Sequence, residues 1–142
     1  FLNVTGVQTC ALPIFINLAS IVHGYSIGGF DATKIAGNTL RLGVGEAGEP
    51  YEGIGRGMLN IEGLPVYRDQ LGGIGTPTSD NERTKLTLDT TQLLVLINGY
   101  DGNEARVCDN ANLISNLLRD HCQSDGAQFF IFKPDTANKT WE

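Results

Sequence analysis

One stripe of side chains constrains this chain more than any other feature. Val107, Ala111, Ile114, Leu118 and Cys122 recur at spacings of four, three, four and four. That is one face of an amphipathic helix of about twenty residues. Asp101-Gly102-Asn103-Glu104 reads as its capping box, with Asp101 at the cap and a glutamate three positions on. Just ahead, residues 90–98 (TTQLLVLIN) carry five successive apolar side chains and predict a strand buried on both faces, closed by Gly99. A helix with one apolar face beside such a strand must pack on a sheet.

Residues 15–25 (FINLASIVHGY) show helical spacing and stop at Gly24, with His23 packing or capping that helix. Residues 26–30 (SIGGF) read as a turn. Asp31 caps a short helical turn that Gly37 ends. In residues 39–44, Leu40 and Leu42 alternate with polar or small neighbours, the pattern of a half-buried strand. Short strands are expected at residues 51–54 and 64–68. Residues 71–75 hold three glycines, so a strand there is bent or closely approached by a neighbour. Residues 76–83 (TPTSDNER) form the most polar stretch and predict an exposed loop. Residues 129–132 (FFIF) read as a last strand, which with the preceding strand and helix suggests a crossover, and a polar tail follows. The elements together predict an α+β domain with a mixed, mostly antiparallel sheet.

Composition narrows the function classes. The chain has 142 residues, enough for one domain with its own core. Its 18 glycines follow no three-residue period, so they mark turns between short strands rather than collagen. Sixteen acids against ten Lys and Arg give a net charge of −6, which excludes a grip on nucleic acid through bulk positive charge. A local basic patch, or recognition of a small exposed end, remains compatible with it. Three cysteines (Cys10, Cys108, Cys122) form no CxxC pair and point to a reducing compartment, and so to the cytoplasm. His23 and His121 are far apart and sit in no ligand-spaced cluster, so no metal is expected. No membrane span is expected, and the apolar start lacks the charged n-region of a signal peptide. That compartment also argues against glycosylation at the Asn3 and Asn138 sequons.

Gly43-Val-Gly45-Glu-Ala-Gly48 matches G-x-G-x-x-G, but no helix pattern opens at the third glycine and Glu46 and Glu49 would repel a phosphate. No P-loop, nucleophile elbow or HExxH is present. The informative constellation is Tyr67-Arg68-Asp69 followed by residues 72–85 (GGIGTPTSDNERTK). Glycines there permit close backbone approach, while hydroxyls and arginines can hold a phosphate, ribose or carboxylate. A solvated turn with local side-chain hydrogen bonds explains the same residues equally well.

Two resemblances follow. Residues 1–14, FLNVTGVQTCALPI, resemble the conceptual translation of a sequencing adaptor. That resemblance implies that the natural domain occupies residues 15–133, that its N-terminal part is missing, and that residues 134–142 are a tail. The alternative is a natural apolar strand ending at Pro13. Residues 26–37 (SIGGFDATKIAG), 41–55 (RLGVGEAGEPYEGIG, preceded by Leu40) and 65–86 (PVYRDQLGGIGTPTSDNERTKL) resemble the B3/B4 domain of the phenylalanyl-tRNA synthetase beta subunit. The matching positions are Asn17, Phe30, Asp31, Lys34, Gly37, Gly48, Glu49, Gly72, Gly73, Gly75 and Thr84. The Gly28-Gly29 pair and Arg83-Thr84-Lys85-Leu86 are closer to free-standing bacterial B3/B4 proteins. The resemblance spans residues 15–119.

It implies a three-layer α+β fold and, in the synthetase, a pocket that hydrolyses tyrosine wrongly joined to tRNA. The family's histidine two residues before Phe-Asp is replaced here by Gly28, which puts editing by the synthetase's route in doubt. Three functions stay open. They are binding of an aminoacylated tRNA 3′ end, hydrolysis of the aminoacyl ester in trans, and an interaction domain without RNA. No cofactor is implied. The expected site lies between Gly28-Gly29-Phe30 and residues 72–84. There Gly73 and Gly75 admit the ligand, Thr76, Thr78, Ser79 and Thr84 supply hydroxyls, and Arg68 or Arg83 meets a phosphate.

Overall fold

A computed structural model describes residues 2–3, 11–124 and 126–133. The expectations for Cys10, Asn138 and the 134–142 tail lie outside the described residues. In chain order the elements are β1 (Leu2–Asn3), α1 (Leu12–His23), β2 (Ser26–Asp31), β3 (Arg41–Val44), β4 (Glu52–Gly53), β5 (Gly57–Met58), β6 (Pro65–Asp69), β7 (Gly72–Thr76), β8 (Ser79–Asp80), β9 (Gln92–Asn98) and α2 (Glu104–Cys122). Single 3-10 turns occupy Ala32–Lys34 and Glu82–Thr84.

The fold is α+β. One sheet has the order β1-β9-β2, a second has β3-β6-β7-β8, and β4-β5 is a small hairpin. Every described pairing is antiparallel, so the expected mixed sheet and crossover do not form. Residues 129–132 are not a strand: they run irregularly after α2 and present Phe129 and Phe130 to solvent. An apolar run is not sufficient for a strand without an edge to pair with.

The helices cover one face of the first sheet. Strand alternation sends Ile27 of β2 and Leu93, Val95 and Ile97 of β9 toward α1 and α2, where Leu12, Ile16, Ala19, Ile114, Leu118 and Cys122 complete the main core. The stripe read from sequence is therefore the buried face of α2, although that face meets α1 before it meets the sheet. Asn110 is fully buried between the helices, where its amide donates to Ala19 O at 2.8 Å and lies 2.9 Å from His23 Nδ1. Helix α1 starts at Leu12 with Pro13 in its first turn and ends on Gly24, whose φ of 73° lets its N–H reach Ser20 O.

Four local expectations change. Residues 26–30 are strand β2, paired residue for residue with β9, because the next layer needs the space that Gly28 and Gly29 leave. The cap of α2 is Asn103, which accepts from Arg106 N. Asp101, two residues before that cap, instead accepts from Asn103 N and from the Tyr25 hydroxyl. Leu42 of β3 is 55% exposed, since β3 is an edge strand and its alternation does not face a core. The β9 strand begins at Gln92, and its middle is half-buried rather than enclosed on both faces.

Candidate functional site

Gly28 and Phe30 point away from the helices, into the seam between the two sheets. The Phe30 ring is wedged between two glycine backbones. A Cβ on Gly28 would lie 2.7 Å from Phe30 Cζ, and one on Gly75 would lie 2.6 Å from it. Any larger residue would displace the ring, so these glycines are dictated by the aromatic seat. Gly73 has the same role for Tyr51, whose ring would be 2.8 Å from an added Cβ and whose hydroxyl donates to Ser79 O at 2.6 Å. Gly29 faces the opposite way, onto Ile16 of α1.

Beside the Phe30 ring a cleft opens between the sheets, lined by Ser26, Gly28, Phe30, Pro65, Tyr67, Gly75, Thr76, Pro77, Asp80, Asn98 and Tyr100. Its volume is about 10 Å³, room for roughly one water. The tight turn at Pro77-Thr78 sets its chemistry. It pairs Gly75 with Asp80 and Thr76 with Ser79, and so carries the Asp80 carboxylate into the seam. The Thr76 hydroxyl donates to Ser79 O at 3.0 Å and accepts from Ser79 N at 3.1 Å, which fixes the turn. Opposite, the Tyr67 hydroxyl donates to Asn98 Oδ1, and Asn98 Nδ2 donates to Ser26 O at 3.1 Å. Burial raises the Tyr67 phenol to about 12, with a smaller contribution from Tyr100, so it stays a donor near neutrality.

Asp80 is the carboxylate that the cleft perturbs. Burial pushes its carboxyl from 3.8 up to about 6, only partly offset by a hydrogen bond from Gly29 N–H. A carboxylate in a cleft, displaced toward neutrality by desolvation, is a candidate group for ligand binding or proton transfer.

Of the eleven residues expected at the site, Gly28, Phe30, Gly75 and Thr76 line this cleft. The others are elsewhere. Arg68 is held by Glu49, with Nε–Oε1 at 2.7 Å and Nη2–Oε2 at 2.6 Å, and also donates to Val44 O. Arg83 grips Asp69 through both Nη atoms at 2.9 and 2.8 Å and donates to Lys34 O. Both arginines are committed to architecture, because each faces a carboxylate of its own chain before any ligand arrives. Thr84 is wholly buried, with no hydrogen bond to its hydroxyl, and Gly29 and Gly73 are packing positions. Thr78 is exposed at the turn, and Ser79 packs beside Gly53. The stretch 76–83 is thus a hairpin and a 3-10 turn with a buried Asn81, more enclosed than a solvated loop.

Asp80, Tyr67, Asn98 and Tyr100 escaped the sequence reading as individual site residues. The usable signal was the two-residue turn: counting back across Pro77-Thr78 sets Asp80 opposite Gly75.

Among the described residues, no three His, Cys, Asp or Glu side chains gather to hold a metal ion. Nor is any described helix long and apolar enough to cross a membrane. The G-x-G-x-x-G glycines lead into irregular chain and a short strand rather than a helix, and a Cβ on Gly45 would strike Ile61 O. No protein-family model, curated protein or solved structure matches the chain.

Proposed function

We propose that this chain recognises the aminoacylated 3′ end of a tRNA, received at the Asp80 cleft. One observation carries the reading. Two of the three segments in which the sequence resembles a B3/B4 domain, the strand through Gly28 and Phe30 and the stretch through Gly75 and Thr76, converge on a single cleft that holds a carboxylate raised by burial. With Arg68 and Arg83 already paired, recognition depends on the end of the RNA and few phosphates. A single-stranded end with exposed functional groups is what such a surface can read. The setting is the cytoplasm, where charged tRNA is found.

Affinity is measured for tRNA carrying a non-hydrolysable amide-linked amino acid and for the same tRNA uncharged, across a salt series. The reading expects tighter binding of the charged form and a shallow salt slope. Equal affinity for both forms refutes it.

A second reading, hydrolysis of the aminoacyl ester, is favoured by the water-sized space beside Asp80. A carboxylate near 6 is suited to take a proton from water. Release of amino acid from excess charged tRNA, lost in Asp80→Asn, separates turnover from binding alone.

A further inference from the structure

We infer that the Asp80 cleft takes a primary ammonium, so that an aminoacyl end is received only when its α-amino group is free. This rests on the reading of the cleft as the receiver of that end, and it names the atom group read there.

Asp80 Oδ1 sits between two glycine backbones, 3.6 Å from a Cβ built on Gly28 and 3.3 Å from one on Gly75. Its hydrogen bond comes from the neutral Gly29 N–H. The ion pairs of the described residues engage Asp31, Glu49, Asp69, Glu82, Asp101, Asp120 and Glu104, and none involves Asp80. The nearby polar groups are already engaged with one another: Tyr67 with Asn98, Asn98 with Ser26, and Thr76 with Ser79. The unmet requirement of the cleft is therefore a cation with hydrogen-bond donors beside Asp80.

Size completes the selection. The space beside the carboxylate is about 10 Å³, which one water fills. A primary ammonium is close to water in size and brings three donors and the missing charge. The Phe30 ring, seated against the Gly28 and Gly75 backbones, closes the inner side. N-acylation of the amine removes the charge and adds atoms for which there is no room. The rest of the ligand stays at the mouth, against the exposed Pro65, Pro77 and Tyr100. A Tyr100 ring at the mouth gives an approaching cation or a nucleobase a face to lie on.

Four probes test this by titration calorimetry on the full chain near neutral pH. They are an adenosine carrying alanine through a 3′-amide with its amine free, the same compound N-acetylated, adenosine itself, and alaninamide. The expected result is that the free-amine compound binds at least ten-fold more tightly than its N-acetyl form. That preference disappears in Asp80→Asn, whose amide can still accept from Gly29 N–H. If the N-acetyl compound binds as tightly as the free amine and both exceed adenosine, the ammonium inference falls while the proposed function stands. If neither exceeds adenosine, the proposed function falls and takes this inference with it. If alaninamide binds as tightly as the free-amine adenosine, the cleft reads a free amine, and the aminoacyl end is refuted as its source.

Discussion

Replacing Asp80 by Asn should make the protein more stable and less able to bind. The size of the effect follows from the cleft. Burial raises the carboxyl from 3.8 to about 6, a shift of roughly two units, each equivalent to about 1.4 kcal/mol. A carboxyl whose folded value lies above its unfolded value favours the fold while both states are protonated. That contribution is complete below 3.8 and is lost as pH rises through about 6, because the unfolded chain releases the proton first. Above that window wild-type Asp80 costs up to about 3 kcal/mol, and water at the cleft mouth reduces the figure to roughly 1–3 kcal/mol. Asparagine has the same shape, keeps an acceptor for Gly29 N–H and pays no such cost. Urea unfolding of both proteins at about pH 4 and about pH 8 measures the difference. The two should nearly coincide at the acid end, with Asp80→Asn ahead by roughly 1–3 kcal/mol at the alkaline end. An equal difference at both pH values would refute the desolvation argument, since it would show that the substitution acts through packing and not through charge.

Arg83→Ala should lower stability by about 2 kcal/mol, because it strands the buried Asp69 carboxylate. Burial alone would raise the Asp69 carboxyl, but hydrogen bonds from Arg83, Ala36 N–H and Leu71 N–H hold it below the usual range. The Arg83→Ala loss should therefore be full above that range and shrink as pH falls through it, which thermal melts across pH will check. Leu118→Asp should cost roughly 3 kcal/mol or more by placing a charge in the helix core, and an unchanged melting temperature would overturn the facing of α2. Gly75→Ala should cost roughly 1–3 kcal/mol by driving a methyl into the Phe30 ring. Adding Phe30→Leu to Gly75→Ala should then cost less than the two single changes summed, and strict additivity in a double-mutant cycle would show that residue 75 does not touch the ring.

What the sequence disclosed depended on how local each signal was. The α2 stripe repeats within one element, and the structure buries Ala111, Ile114, Leu118 and Cys122 as the spacing requires. The stop at Gly24 and the Asp31 cap are equally local, resting on one φ angle and one hydrogen bond to Thr33 N. Strand β2 was missed because two glycines in a row read as a turn. Their purpose is set by Ile16 on one face and Phe30 on the other, and those contacts are made in space. Phe129-Phe130-Ile131-Phe132 was misread for the converse reason: apolar sequence gives a strand only where an open sheet edge lies within reach. At the site, the convergence of residues 28–30 with residues 75–76 was legible, but its chemistry was not. Arginines look available in a sequence because nothing there shows Glu49 curling back to Arg68, or Asp69 waiting for Arg83.

That pairing bears on what kind of recognition this fold supports. A bidentate arginine–carboxylate pair resists being opened by an incoming phosphate, since the phosphate must repay a contact already made and leave a carboxylate behind. Arg83 is the sharper case, because the side chain of its partner Asp69 has no exposed surface. Arg68 and Arg83 are neutralised in pairs, whereas Asp80, in the cleft, takes part in none of the ion pairs of the described residues. Under the proposed recognition of an ammonium, the cost that burial places on the Asp80 carboxylate is a cost that a bound cation would offset. A ligand that restores the charge balance of Asp80 should therefore stabilise the protein most above pH 6, where the carboxylate is ionised and unmatched.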